Sequence, residues 1–318
     1  MIKKGSPNIL CIGGAHFDYA MKVKNGFKPR GSNQVATITY PGGVSQNVAR
    51  NLGMLGMDVG LCSMLGKGLE GRTLHRNLEQ QNVDLELVQT HPHQGPPHYL
   101  AVINDIGELQ VEFINDELYK TLDLAFFQSI LPQAKQYDYW LIDANLPASS
   151  IEFLSTQHQA GFICAAPVSA VKADRFSADV LRNFNLWIGN RAELQKIYGY
   201  DIASVELGVI ALDILYKEEK LPALSVLTLE NEGALLLDHG KIDVFPIMET
   251  KIASVNGAGD GFYAGFLYAI MQGKSPKDAM CYGMALASVL LQQIGTVCED
   301  LNASMLEDYY KHYRAIHL

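Results

Sequence analysis

Ser254-Val255-Asn256-Gly257-Ala258-Gly259-Asp260 runs straight into Gly261, Phe262 and the apolar stretch Tyr263 to Met271. Small residues at a helix N-terminus leave several N–H groups free and pointing outward. The helix dipole adds partial positive charge there, so the turn is a ready site for phosphate oxygens. Asp260 falls in the first turn. The dipole is expected to keep it ionised, and a carboxylate there can accept a hydroxyl proton as phosphorus is attacked. The same residues also suit a tight turn with an N-cap carboxylate, and composition does not separate the two readings.

Working outward, the chain upstream alternates strand with helix. Compact apolar strands are expected at Tyr139 to Ile142, Phe162 to Ala165, Leu186 to Ile188 and Leu224 to Leu229. Helices are expected at about 148–159, 174–183, 191–199 and 203–219. A late hairpin (Gly233 to Leu237, Ile242 to Phe245) precedes two long helices at about 258–272 and 276–293 and a last one from 303. Nearer the start, Asn8 to Ile12 reads as a buried strand, Val44 to Leu55 as a helix, Val59 to Leu65 as a strand and Leu69 to Asn82 as a helix. That rhythm implies an α/β fold with a mostly parallel central sheet covered by helices on both faces. Val35 to Tyr40 and the hairpin His98 to Ile103 with Leu109 to Ile114, turning through Asn104 to Gly107, fall outside it. They predict a small β-sheet lid, with strands from about 16–42 and 97–116, set into one domain over 1–318.

Other short motifs carry chemistry only together. Pro41-Gly42-Gly43-Val44-Ser45-Gln46-Asn47 opens the helix at 44–55. Its glycines let a ligand approach the backbone and Asn47 can bind hydroxyls, although a capped loop reads the same way. Gly13-Gly14-Ala15-His16-Phe17-Asp18 follows the first strand, where Asp18 can bind sugar hydroxyls or simply be solvated. Gly66-Lys67-Gly68-Leu69-Glu70-Gly71 matches the dinucleotide fingerprint, but Asp84 and Glu86 stand too close to serve as its ribose acid. No P-loop, protein-kinase set or H-E-x-x-H spacing occurs.

Net charge is −9 over 318 residues, so a general nucleic-acid binder is not expected. The 5 cysteines show no C-x-x-C spacing and read as buried thiols in a reducing compartment. Behind Lys3 and Lys4 no long apolar run follows, which predicts no membrane span and a cytoplasmic protein.

Together these segments resemble the ribokinase-like (PfkB) carbohydrate kinase family, over nearly the whole chain. Ser254 to Phe266 resembles its C-terminal signature. Gly42 to Gly66 resembles its N-terminal one, except at Ser45. Gly66 to Gly71 is then the family's own loop, which removes the dinucleotide reading. The resemblance implies an ATP-dependent kinase with Asp260 as base and Gly257, Ala258 and Gly259 as oxyanion hole. It implies a sugar held by Asp18, Gly42, Gly43 and Asn47, and nucleotide bordered by Asn190, Thr228, Gly233, Asn256, Gly257 and Gly259. Mg²⁺ is implied, positioned through water by Glu193 of Asn190-Arg191-Ala192-Glu193.

Within the family the chain is most similar to the pseudouridine kinase subgroup. The segments are His98-Tyr99-Leu100, Gly107-Glu108, Ile114-Asn115-Asp116, Asp143-Ala144-Asn145 and Pro167-Val168-Ser169-Ala170-Val171-Lys172. His98, Asn115, Asn145 and Lys172 are the implied nucleoside contacts, and the reaction implied is phosphorylation of a nucleoside 5′-hydroxyl. Ser254 stands where many members have an acid that helps to hold a monovalent cation, so K⁺ is not carried over. His98 and His16 replace smaller side chains, which keeps ribose, adenosine, inosine or a hexose phosphate open as substrate. A kinase-fold protein that binds without turnover is a third reading, against which the intact Gly257 to Asp260 motif stands. The lid's open edges predict a homodimer through the lid.

Overall fold

The computed structural model describes residues 6–106, 108–158, 161–293 and 295–317; Gly107 of the expected hairpin turn lies outside them. The strands are β1 (Asn8–Ile12), β2 (His16–Val23), β3 (Val35–Gly42), β4 (Asp58–Leu65), β5 (Val83–Asp84), β6 (Val88–Thr90), β7 (His98–Ile103), β8 (Leu109–Asn115), β9 (Tyr139–Asp143), β10 (Phe162–Ala166), β11 (Leu186–Asn190), β12 (Leu224–Thr228), β13 (Ala234–Asp238) and β14 (Lys241–Phe245). The helices are α1 (Val44–Met54), α2 (Leu69–Gln80), α3 (Leu124–Ala134), α4 (Ala148–Ser155), α5 (Ala178–Leu181), α6 (Arg191–Tyr198), α7 (Val205–Lys217), α8 (Ala258–Met271), α9 (Pro276–Leu291) and α10 (Ala303–His317).

The apolar runs fix the main sheet. All of β1 is buried, because helices cover both of its faces. Ile9 and Cys11 face one layer with α1, α8, α9 and α10, whereas Leu10 and Ile12 face the other with α3, α4 and α7. A fully buried Ile or Leu contributes about 1.5–3 kcal/mol, so one five-residue strand ties two layers together. The order is β14-β13-β12-β11-β10-β9-β1-β4-β5, with β6 also on β4. Pairing is parallel from β12 to β5, and β13 and β14 add an antiparallel edge. The chain leaves β1 towards β4 on one side and returns as β9 on the other. A crevice therefore opens at the carboxyl ends of β1 and β9, where α/β sheets receive ligands.

A second sheet, β3-β2-β7-β8, stands over that crevice. This is the ribokinase-like arrangement, with the small sheet as lid. One local expectation fails. The helix foreseen at 174–183 is broken: a 3-10 turn covers Ala173–Arg175 and α5 is only 4 residues long. Phe176 lies between them at ψ 83, outside helical space, and Ser177 caps α5 afresh. Asp18 lies inside β2, within the lid range expected at 16–42, and is paired with Tyr40.

Candidate active site

Two helix N-termini converge on Asp260. α1 starts after Gly43 (φ 96), where a Cβ would overlap the Gly14 carbonyl. α8 starts after Gly257 (φ 79), where a Cβ would meet Thr296 Cα at 2.6 Å. Both positions need glycine for conformation and for space. From α1, Asn47 Nδ2 donates to Asp260 Oδ2 at 2.7 Å, and its Oδ1 faces Thr296 Oγ1 at 3.0 Å. Thr296 Oγ1 also lies 2.9 Å from Pro41 O, so this one hydroxyl sits between the end of β3 and the first turns of α1. Asp260 touches the cavity, but its carboxyl lies deep among protein atoms. Burial pushes it up to about 7; the Asn47 hydrogen bond opposes this, and Asp18, Asp143 and Glu193 add to the rise. The sequence reading had the dipole keeping Asp260 ionised. Burial beside three other acids works against the dipole.

A cavity of about 360 Å³ lies between lid and main sheet. Of the foreseen residues it is lined by Asp18, Gly43, Asn47, His98, Asn115, Asn145, Lys172, Asn256, Gly257 and Asp260. Gly42 is absent from the lining and lies beneath Asp18: a Cβ there would overlap the Asp18 carboxylate. At the far end Lys172 Nζ, almost fully buried, donates to Asn145 Oδ1 at 2.7 Å and pairs with Asp116 at 3.0 Å. Burial alone would raise Asp116, yet Lys172 and Arg175 outweigh it and hold the carboxyl below its ordinary range. Three buried atoms on this cavity, Asp18 Oδ1, His98 Nδ1 and Asn145 Nδ2, have no hydrogen-bond partner among the described residues. Buried polar atoms are rarely left so, and these await a ligand's polar groups.

Asp143 is the fastening sequence reading undervalued. Its Oδ2 accepts from Gly14 N (2.9 Å) and Ser45 N (3.0 Å), and its Oδ1 from Asn145 N (2.8 Å). One buried carboxylate thus joins the turn after β1, the first turn of α1 and the loop after β9. Gly13 leaves room for it. Tyr40, Tyr119, Val168 and Thr296 line the cavity and were not foreseen. Tyr119 and Thr296 lie in none of the motifs and arrive by long-range contacts, whereas Val168 lies inside the Pro167 to Lys172 motif and Tyr40 just before Pro41.

A second cavity, of about 610 Å³, lies across α8 from the first. Asn190, Thr228, Gly233, Ala258 and Gly259 line it, with Phe262, Met284 and Leu291 as an apolar wall. A Cβ on Gly259 would touch nothing, so the backbone amide there is open to approach. Asn256 was foreseen beside nucleotide, but it lines the first cavity and donates to Tyr40 Oη in the lid at 2.7 Å. Glu193 lines neither cavity. Its carboxyl accepts from Asn190 N–H at 2.9 Å in a capping box at the start of α6, and burial pushes it up to about 7. Among the described residues no three His, Cys, Asp or Glu converge as a metal cage.

The arrangement sets the Asp260 carboxyl and the amides at the start of α8 beside a smaller cavity and a larger, more apolar one. The family model for pfkB family carbohydrate kinases matches residues 6–301. Guanosine-inosine kinase of Exiguobacterium acetylicum is 25% identical over 281 residues, 86% of this chain and 91% of that protein. Pseudouridine kinase of Escherichia coli K12 is 22% identical over 295 residues, 92% of each. Arabidopsis thaliana ribokinase complexed with ribose and ATP superposes with a TM-score of 0.84 at 18% identity, covering 96% of this chain and 99% of that one.

Proposed function

The chain belongs to the pfkB family of carbohydrate kinases, ATP-dependent enzymes with a hydroxyl acceptor, and on that premise we propose that it phosphorylates the 5′-hydroxyl of a nucleoside, pseudouridine first among them. One observation carries the reading: the Asp260 carboxyl, oriented by Asn47, lines the cavity under the lid, and its chain neighbour Gly259 lines the other. The acceptor lies in the cavity under the lid, its hydroxyls on Asp18 and its base towards Lys172, Asn145 and Asn115, whose donors suit ring carbonyls. Its hydroxyl oxygen attacks the γ-phosphorus as Asp260 takes the proton, and the bond to the ADP oxygen breaks. Amides at Gly257, Ala258 and Gly259 face the phosphoryl oxygens as charge develops. Mg²⁺ would be carried on the ATP phosphates, since the described residues offer no protein cage. It supplies charge neutralisation there. Glu193 serves by holding Asn190, which borders the nucleotide. The open lid edges, with Ile38 and Phe113 half exposed, support a homodimer through the lid, read by sedimentation velocity.

The E. acetylicum relative favours a second substrate class, purine nucleosides. ADP release with Mg-ATP decides between them, measured against pseudouridine, uridine, guanosine, inosine, adenosine, ribose and fructose 6-phosphate, with and without potassium. A kcat/KM for pseudouridine about tenfold or more above every other member is the expected result. Preference for guanosine or inosine overturns the substrate and keeps the chemistry. Binding without ADP release overturns the kinase reading for this chain.

A further inference from the structure

We propose that Tyr119 is a positioning residue for the acceptor cavity, acting through His16 on Asp18. Tyr119 is fully buried in the 3-10 turn Glu117–Thr121, just past β8, and none of the motifs includes it. Its Oη lies 2.8 Å from Ala15 N and 2.7 Å from His16 Nδ1. The other ring nitrogen, His16 Nε2, lies 3.2 Å from Asp18 Oδ1.

Donor counting then fixes the protons. A backbone amide can only donate, so the phenol oxygen accepts from Ala15. The phenol has one proton of its own, and His16 Nδ1 is the acceptor within reach. Nδ1 is therefore unprotonated, and the ring carries its proton on Nε2, facing Asp18. A proton on Nδ1 instead would set two donors on the phenol oxygen and turn its own proton away from the ring, towards the cavity that Tyr119 lines. The Nε2–H points off the line to Oδ1, which makes no hydrogen bond among the described residues. The ring thus steadies the carboxylate and leaves Oδ1 able to accept from a ligand hydroxyl.

The same phenol joins the two ends of the lid. The chain enters the lid at Ala15 and His16, and leaves it through β8 and this turn. Holding Asp18 and holding the lid's hinges are one arrangement of three residues. The nucleotide cavity shares none of them.

This inference rests on the nucleoside-kinase reading for its kinetic consequence but not for its tautomer, and two measurements keep them apart. The first is ¹⁵N shifts of the histidine rings, with the His16 signals assigned from His16→Asn. One protonated nitrogen, Nε2, is expected in the parent protein and a tautomer mixture in Tyr119→Phe. A ring protonated on Nδ1 in the parent overturns the proposal whatever the substrate. The second is a double-mutant cycle with the preferred acceptor. Tyr119→Phe should raise the acceptor KM about five- to twentyfold while the ATP KM holds, and in the His16→Asn background it should raise it no further. An equal rise in both backgrounds overturns the relay, because Tyr119 then acts without His16. Misfolding of part of the sample would lower the apparent kcat and leave both KM values alone, so it cannot imitate the expected result.

Discussion

At Asp260 folding and chemistry pull in opposite directions. A base is useful when its proton affinity approaches the working pH, and burial raises this carboxyl to about 7. The folded protein therefore binds a proton there that the unfolded chain, at its ordinary 3.8, releases. The raised pKa favours folding below pH 3.8, and that advantage is lost as pH climbs through about 7. Asp260→Asn keeps an oxygen for the Asn47 amide and removes the charge. It should lower kcat about 10²–10⁴-fold, with the acceptor KM little changed. In the same variant stability at pH 8 should rise by about 1–3 kcal/mol, allowing for the carboxyl's contact with the cavity, and at pH 4 hardly at all. Thermal unfolding at the two pH values reads this. In the parent enzyme log kcat/KM should climb with unit slope to a plateau near pH 7. A slope of zero there would remove Asp260 as the base.

The loop after β10 shows how an element can carry strain for a site. Val168 sits at φ 70, a genuine outlier for a β-branched residue, and Ser169 N–H closes a γ-turn onto Pro167 O at 2.8 Å. Lys172 N–H then bonds Ser169 O, and the turn delivers the Lys172 ammonium to Asn145 and Asp116. Such strain costs about 1–3 kcal/mol and persists where surroundings enforce it. Val168→Gly relieves the strain but loses half-buried methyl groups. Its Tm should stay level or rise, while the acceptor KM rises several-fold as Lys172 loosens. A clear loss of Tm would mean that no strain was stored. The motif around Lys172 was legible in the sequence because it is contiguous. The conformation was not, since Val168 prefers extended backbone and the surrounding contacts override it. The expected helix at 174–183 failed likewise, its pattern saying nothing of Phe176 turning inward to full burial.

Across the whole molecule, legibility follows the range of the interactions. Alternating apolar runs and helical stripes are local, so the layered parallel sheet could be read directly. Asp260, Asn47 and the glycines stood out because helix N-termini impose local chemistry. Asp143, Thr296 and Tyr119 work through partners about 100 or more residues away, as in Gly14–Asp143 and Thr296–Asn47, and strand order alone brings them in. The same division predicts where the protein is soft. No residue of β2, β3, β7 or β8 belongs to either buried core; only Phe17 packs partly against one. A two-faced sheet with little apolar burial opens at low free energy. Amide exchange in 16–42 and 98–115 should therefore run at least a hundredfold faster than in β1 and β9. An acceptor that bridges Asp18 to Lys172 ties the lid to the crevice by contacts the free protein lacks. Adding it should slow exchange in the lid and leave β13 and β14 unchanged. Equal protection of lid and central sheet without ligand would instead mean that the lid is held rigid, and that acceptor entry needs another opening.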